Sequence, residues 1–215
     1  MKFSIIIPTM WFHVQQLREM LTIYNDMSSV GEIILVNNNE SKTPELNFDK
    51  LRVISKDKNI FVNPSWKFGV NEAKYENIVL ANDDITLRGR LDLLFENIAC
   101  LLKKGVIFGV GENCYSDTKF SKIRLKQRPL LSKTNMGYGY GVFMLMKKET
   151  FLKTEIHEDF LVWYGDHILY YENTPWSFEG VEVITEMQGT TSKINLKGFK
   201  QKERKAFQTY LKARQ

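Results

Sequence analysis

Short apolar runs alternate with amphipathic stretches through the first half of the chain. The runs are rich in Ile and Val and too short for buried helices, so they predict strands that are buried on both faces. The stretches between them carry apolar residues at helical spacing, for example Val14, Leu17 and Leu21. Asn63 is the expected N-cap of the second helix, and Pro64 suits its first position. The predicted strands are residues 3–7, 32–36, 51–54, 78–81 and 106–110, and the predicted helices are residues 12–27, 64–74 and 91–102. This alternation indicates a parallel sheet with right-handed crossovers.

Polar side chains follow three of the predicted strands. Thr9 follows the first strand, Asn37 the second, and Asn82, Asp83 and Asp84 the fourth. Because ligands of open α/β sheets bind outside the carboxyl ends of the strands, we expect these side chains to share one site. Two adjacent carboxylates repel each other unless a cation lies between them, and Mg²⁺ or Mn²⁺ prefers such oxygen ligands. A surface turn is the alternative, since Asn-Asp-Asp is also favourable in turns.

The second half of the chain is less regular. Residues 113–134 are polar and basic and predict a loop, whereas residues 142–146 and 181–185 predict strands. Glycines alternate up to the first of these strands and include Gly139 and Gly141. They either leave one face of the strand bare for a close approach or form a flexible turn.

Composition fits one globular α/β domain. The chain has 215 residues, a length that suits a single core. No apolar stretch reaches the roughly 18 residues of a membrane span, and Pro8 ends an N-terminal apolar run that is too short for a signal peptide. Cys100 and Cys114 are too few for a disulfide framework. They predict thiols in a reducing compartment, and hence a cytoplasmic location.

Basic residues are concentrated in two segments. The net charge is +5 and the pI about 9.0, which favours an anionic partner. The segments are residues 119–133 and 193–214, and the second contains one acid, Glu203. Interleaved aromatic residues in the second segment would suit a polyanion such as DNA. A solvated basic face, or binding to anionic lipid headgroups, is the alternative.

Several segments, in their order and spacing, resemble family 2 glycosyltransferases of the GT-A fold. Phe3-Ser-Ile-Ile-Ile-Pro-Thr9 resembles the family's opening strand, and Val79-Leu-Ala-Asn-Asp-Asp-Ile85 its metal-binding strand end. Trp163-Tyr-Gly-Asp-His-Ile-Leu169 is similar to the segment that carries the catalytic base. The other similar segments are residues 32–39, 59–69 and 141–151.

The resemblance implies an α/β fold of the GT-A type, the nucleotide-diphospho-sugar transferase fold, with a Rossmann-like, mostly parallel sheet flanked by helices. One domain would cover residues 1–215. Its nucleotide-sugar half would span about 1–112 and its acceptor half about 113–192, followed by a basic tail at 193–215.

The activity implied by the resemblance is a metal-dependent, inverting transfer of sugar from a nucleotide-diphosphate sugar, in the first place a UDP-sugar, to an acceptor hydroxyl. Asp84 would bind Mn²⁺ or Mg²⁺, and His167 is a further candidate ligand. Asn37 occupies the place of a family aspartate that reads the uracil edge, and an amide can both donate and accept there. The implied donor-binding residues are Pro8, Thr9, Asn37, Asn63, Asn82 and Asp83.

An inverting transfer needs one general base within hydrogen-bond reach of the acceptor hydroxyl. Asp166 is the base expected from the resemblance, and Asp159 and Glu158 are the alternatives. A helix N-cap is the other role open to Asp166. The resemblance places Gly139, Gly141, Trp163 and Tyr164 on the acceptor side.

The leading acceptor is nucleic acid, for instance a hydroxylated base in DNA, which would have to leave the base stack. A glycan or a lipid-linked acceptor is the alternative. A nucleotidyltransferase, from another class, would need a glycine-rich basic loop after the first strand, where this chain has Pro8-Thr9-Met10-Trp11. A non-catalytic nucleic-acid-binding module would not need Asp83, Asp84 and Asp166 in one cleft.

Overall fold

Ten strands in the described part of the chain form the framework of the fold. A computed structural model describes residues 1–39, 41, 44–111, 122–129, 141–185, 193, 196 and 198–214. Its strands are β1 (Phe3–Thr9), β2 (Val30–Asn37), β3 (Leu51–Ser55), β4 (Asn77–Ala81), β5 (Ile85–Gly89), β6 (Val106–Val110), β7 (Arg124–Gln127), β8 (Phe143–Lys147), β9 (Thr174–Glu179) and β10 (Val181–Thr185). Eight of them form one mixed sheet in the order β3-β2-β1-β4-β8-β6-β9-β7, and β5 and β10 pair separately as an antiparallel ribbon.

Helices cover both faces of the large sheet. They are α1 (Val14–Asp26), α2 (Val62–Glu72), α3 (Leu91–Ala99), α4 (Lys148–Lys153), α5 (Gly165–Glu172) and α6 (Phe199–Ala213). Because side chains alternate along a strand, β1 sends Ile5 and Ile7 into the core beneath α1 and α3, and Ile6 into the core beneath α2, α4 and α5. Burial of β1 on both faces explains its mostly apolar sequence. The layered α/β fold predicted from the sequence is confirmed.

The strand register brings the polar strand ends to one edge. β1 lies between β2 and β4 and is parallel to both, and Thr9 at its end is the register partner of Asn37. β8 runs antiparallel to β4, so Phe143 at its start is paired with Ala81 at the end of β4. The residues just before β8 therefore lie at the same edge as the residues just after β4.

The start of α2 differs from the prediction. The helix begins at Val62, its N-cap is Phe61, and no side chain caps it. Asn63 is therefore not the N-cap, and its backbone N–H instead donates to the carbonyl of Leu161 at 3.0 Å. A long-range contact thus replaces the local cap. Pro64 still lies in the first turn, where backbone N–H groups have no partner within the helix.

Several of the described elements have sequence patterns too weak to have been predicted. β5 and β9 have mixed composition, and α4 is a helix of only six residues. β7 lies within the predicted loop at 113–134, and of that loop only residues 122–129 are described. It is a strand at the edge of the sheet whose side chains are mostly exposed, so it has no apolar run.

The basic tail contains a helix that packs on the domain. α6 places Phe199, Glu203, Phe207 and Leu211 four residues apart on one face, and the last three of these are buried. Phe207 and Leu211 form a small apolar cluster with Phe160 and Ile168. Part of the segment that the sequence indicated only as a basic tail is therefore structural.

Within the described residues, no helix is both long enough and apolar enough to span a bilayer. Cys100 is an exposed free thiol, and Cys114 lies outside the described residues. The cytoplasmic location remains a prediction.

Candidate active site

A buried hydrogen bond joins the ends of β1 and β4. Thr9 Oγ1 donates to Asp83 Oδ2 at 2.6 Å, and the Thr9 carbonyl accepts from the backbone N–H of Asn38 at 2.9 Å. Burial raises the pKa of Asp83 above its ordinary value, although the Thr9 hydrogen bond and the charge of nearby His13 lower it in part. The structure thus brings together two of the polar strand ends that the sequence singled out.

Asp84 is the second carboxylate of this turn. It is 8% exposed, and its neighbour Asp83 is 5% exposed. Two adjacent, largely buried carboxylates are electrostatically costly unless positive charge is available to them. Asn82, which precedes them, donates its backbone N–H to the carbonyl of Val142 at 3.0 Å, so the turn is tied to the segment that enters β8.

Asn37 is bonded within the protein. Its Oδ1 accepts from the indole Nε1 of Trp11 at 2.7 Å and from the backbone N–H of Asn39 at 2.8 Å, and its Nδ2 donates to Ser55 Oγ at 3.1 Å. Trp11 has the unusual backbone φ of +62° and is 4% exposed. Nothing in the sequence pattern singled out Trp11. Its indole bonds the amide that the resemblance assigned to donor binding, and Pro8 is buried within β1.

Asp166 is the second residue of α5. The helix begins at Gly165 after Tyr164, which has φ +64° and is the N-cap. Asp166 is therefore not an N-cap, and that alternative is wrong. A Cβ placed on Gly141 would lie 2.9 Å from Asp166 Oδ2, so the bare backbone of Gly141 provides the space that the carboxylate occupies.

This contact connects the two acidic segments of the chain. Gly141 contacts Asp166, and the next residue, Val142, is bonded to Asn82 at the end of β4. Asp166 therefore approaches the edge of the sheet from which Asp84 projects. Gly139, predicted for the acceptor side, lies outside the described residues.

Asp166 and His167 are joined by a hydrogen bond, which becomes an ion pair when His167 is protonated. His167 Nδ1 lies 2.9 Å from Asp166 Oδ1, and the two side chains are 21% and 16% exposed. Burial alone would raise the pKa of Asp166, but the charge and hydrogen bond of His167 outweigh it and lower the pKa below its ordinary value. Burial would lower the pKa of His167, and Asp166 raises it overall. Asp166 is thus held ionised, as a proton acceptor must be.

Asp159 and Glu158, the alternative bases, lie in a more exposed position. Asp159 is 44% exposed and pairs with His157 at 3.2 Å and with Lys202 of α6 at 3.4 Å. Glu158 is exposed. Neither has a contact with the end of β4 comparable to that of Asp166 through Gly141 among the interactions of the described chain.

The loop before α5 is fixed by two side chains from distant elements. The Asn63 amide donates to the carbonyls of Phe160 at 3.1 Å and Trp163 at 3.2 Å, so its polar contacts are with this loop. Glu203 of α6 accepts from backbone N–H groups of the same loop. Tyr164 stacks on Phe207 of α6 with ring centres 4.7 Å apart.

Carboxylates at the end of β4 are the oxygen donors available to a metal ion. Within the part of the chain that the structure describes, no group of three His, Cys, Asp or Glu side chains could hold one. Mg²⁺ in nucleotide sites is usually bound by one or two carboxylates together with substrate phosphates. Asp84 beside Asp83 fits that arrangement, because both are buried at the sheet edge where a diphosphate would lie.

Solved structures share this fold. S. aureus TarS 1–349 matches with a TM-score of 0.59 at 14% identity, over 89% of this chain and 63% of that chain. GalNAc-T7, solved with UDP, GalNAc and Mn²⁺, matches with a TM-score of 0.57 at 11% identity, over 86% of this chain and 43% of that chain. TarS 1–349 in complex with UDP gives 0.57 at 13% identity, over 82% and 57%.

These matches confirm the GT-A fold, the fold of the glycosyltransferases to which both proteins belong. The chain spans less than two thirds of the length of each of these solved chains. No protein-family model and no curated protein matches the sequence.

Proposed function

We propose that this chain is a metal-dependent, inverting glycosyltransferase that moves a sugar from a UDP-sugar to an acceptor hydroxyl. The observation that carries the proposal is the approach of two acidic segments within a GT-A fold. Asp166 contacts Gly141, immediately before the hydrogen bond that ties this segment to the turn carrying Asp83 and Asp84. The UDP bound to TarS and the UDP and Mn²⁺ bound to GalNAc-T7 support the choice of donor and metal.

The donor would bind across the ends of β1, β2 and β4. Thr9, Asn37 and Pro8 would contact the nucleoside, and Asp83 and Asn82 the ribose or sugar hydroxyls. Asp84 would bind Mn²⁺ or Mg²⁺. When bound, the cation neutralises the charge that develops on the leaving nucleoside diphosphate.

The acceptor would be activated by Asp166. Its carboxylate takes the proton from the acceptor hydroxyl as that oxygen bonds to the anomeric carbon, and the bond from this carbon to the diphosphate breaks on the opposite face. Attack opposite the leaving group inverts the anomeric configuration. The low pKa of Asp166 keeps the carboxylate ionised at neutral pH, and Trp163 and Tyr164 would flank the acceptor.

The first experiment is a screen of nucleotide sugars for release of the nucleoside diphosphate, with Mn²⁺, Mg²⁺ or EDTA. We expect turnover of a UDP-sugar that needs the metal. Asp84→Asn should remove it, whereas Asp26→Asn, at an exposed aspartate at the end of α1 and close in sequence to the start of β2, should not. Full activity in Asp84→Asn would contradict the metal role, and pyrophosphate release from nucleoside triphosphates would favour a nucleotidyltransferase instead.

For the acceptor, we propose a polyanion, with nucleic acid as the first candidate. On α6 the only acid, Glu203, is buried, and the exposed face carries only positive charge. β7 and its flank add further exposed cations. These exposed cations are Lys122, Arg124, Lys126, Lys200, Lys202, Arg204, Lys205 and Lys212.

Duplex DNA binding across a salt series tests this choice. Lys205→Glu with Lys212→Glu should weaken binding and reduce the slope of log affinity against log salt by roughly one per lost phosphate contact. The control pair, Lys103→Glu with Lys104→Glu, changes two exposed lysines outside both basic segments. Absence of binding at low salt would rule out nucleic acid and leave a glycan as the acceptor to test.

A further inference from the structure

The loop 160–164 positions the start of α5, and its backbone is bonded mainly by side chains. Glu203 Oε1 accepts from the N–H of Leu161 and of Val162 at 3.2 Å each, and Glu203 Oε2 accepts from the N–H of Trp163 at 2.8 Å. Three consecutive N–H groups thus converge on one carboxylate. Such charge-assisted bonds are stronger than bonds between neutral groups.

Glu203 lies on the buried face of α6, with its carboxylate directed at this loop. It is 1% exposed, and burial raises its pKa while the three backbone bonds lower it in part. A buried carboxylate without such bonds would be strongly destabilising. It lies on the same face of α6 as Phe207, which stacks on Tyr164 of the loop. The packing of α6 therefore delivers the carboxylate to the loop.

Asn63 of α2 bonds the same loop through the loop's carbonyl groups. Its amide donates to two loop carbonyls, and the Leu161 carbonyl accepts from its backbone N–H at 3.0 Å. Gly165 packs directly against the Asn63 amide, because a Cβ there would overlap it. The loop therefore has its carbonyls bonded from α2 and its N–H groups bonded from α6.

Asp166 lies two residues after the end of this loop. Its carboxylate contacts Gly141, where no side chain could be accommodated, so a small shift of the loop would move it relative to the end of β4. Misplacement of a catalytic group by about 1 Å can reduce a rate by about a hundredfold.

We propose that Glu203 is a positioning residue for the transfer reaction, acting through the loop 160–164 to set the position of the Asp166 carboxylate. This inference rests on the proposed function, in which Asp166 is the base. Glu203 itself touches neither donor nor acceptor.

The test compares Glu203→Gln with the wild type and with Glu96→Gln, at an exposed glutamate of α3. The amide oxygen of Gln can accept from Leu161 and Val162, but its NH₂ opposes the N–H of Trp163. We expect kcat for release of the nucleoside diphosphate, per folded enzyme, to fall by at least about tenfold. The affinity for UDP with Mn²⁺ should stay within about twofold of wild type, since the donor site lies on other elements. The control, Glu96→Gln, should match wild type in both kcat and the affinity for UDP.

Hydrogen exchange gives a readout that does not depend on activity. In Glu203→Gln the amides of Leu161, Val162 and Trp163 should exchange faster, while those of β1 and β4 keep wild-type protection. A variant that loses thermal stability but keeps wild-type kcat, or that keeps full protection of the loop, would overturn the proposal. If the wild type turns over no nucleotide sugar, the proposed function fails, whereas normal turnover with an unchanged variant overturns only the role of Glu203.

Discussion

The two sides of the candidate site are built in different ways. On the donor side, β1, β2 and β4 are buried along almost their whole length, and the sheet register sets their polar ends side by side. On the acceptor side, an irregular loop leads to Asp166. That loop is fixed by Asn63, about a hundred residues earlier, and by Glu203, about forty residues later. We therefore expect substitutions on the donor side to affect donor binding, and those on the acceptor side to affect the chemical step.

Substitution of Asp166 should have the largest effect, and it should distinguish the acceptor side from the donor side most clearly. Asp166→Asn keeps the shape of the side chain but cannot accept the proton, so kcat should fall by about 10² to 10⁴. Calorimetry should show unchanged binding of UDP with Mn²⁺. Asp159→Asn is the control, and a large loss of kcat in that variant with little loss in Asp166→Asn would assign the base to the exposed segment instead.

Two glycines provide a matched pair. An added methyl would overlap Ile6 at Gly69 and the Asn63 amide at Gly165. Gly165→Ala should lower kcat by about ten- to a hundredfold through displacement of the loop. Gly69→Ala should instead lower the free energy of unfolding by about 1–3 kcal/mol, as overpacking does, and leave the kcat of the folded enzyme unchanged.

Thermal melts and steady-state kinetics on both glycine variants measure this contrast. Equal losses of kcat in the two would mean that the acceptor side is no more sensitive to small shifts than the sheet core.

Thr9→Val tests the donor side. The variant removes the hydroxyl that donates to Asp83 at 2.6 Å and leaves a buried carboxylate short of a partner, a loss worth about 1–3 kcal/mol. We expect KM for the donor to rise by about tenfold with little change in kcat. Thr22→Val, at an exposed position of α1, should leave KM unchanged. A fall in kcat alone would move Thr9 from donor binding to the chemical step.

His167→Gln should give the smallest effect, a shift in pH dependence. Asp166 acts when ionised, so kcat/KM falls as the pH drops through its pKa. His167 lowers that pKa, so its removal should raise the pKa of Asp166 relative to wild type. The acid limb of the profile should therefore move to higher pH, and an unmoved limb would contradict the coupling. The pair also stabilises the fold, by a contribution lost on the acid side as Asp166 protonates and on the alkaline side as His167 deprotonates.

The same contrast explains what the sequence could reveal. Strands β1, β2, β4 and β6 agree with their predicted ranges to within a few residues, because a short Ile- and Val-rich run buried on both faces has few other structures open to it. Because these strands could be predicted, the polar residues that follow them could be recognised as a candidate site. β9 contains Pro175 and β7 has mostly exposed side chains, so neither has that pattern.

The long-range contacts on the acceptor side could not be predicted from local sequence patterns. Nothing near Asn63 indicates that its amide bonds a loop about a hundred residues away, and its N-cap prediction was reasonable on local grounds. One signal was available for Glu203. It is the only acid of a basic segment, and it stands four residues after Phe199 and four before Phe207, the spacing of one helix face.

The most direct test of the shared site is a crystal structure grown with UDP and Mn²⁺, with anomalous scattering used to locate the metal. We expect a manganese peak between the Asp84 carboxylate and the diphosphate. We also expect the uridine over the ends of β1 and β2, with Asp166 facing the cavity beside the diphosphate. A manganese peak and UDP bound elsewhere, with Asp84 and Asp166 opening onto separate surfaces, would contradict a shared site.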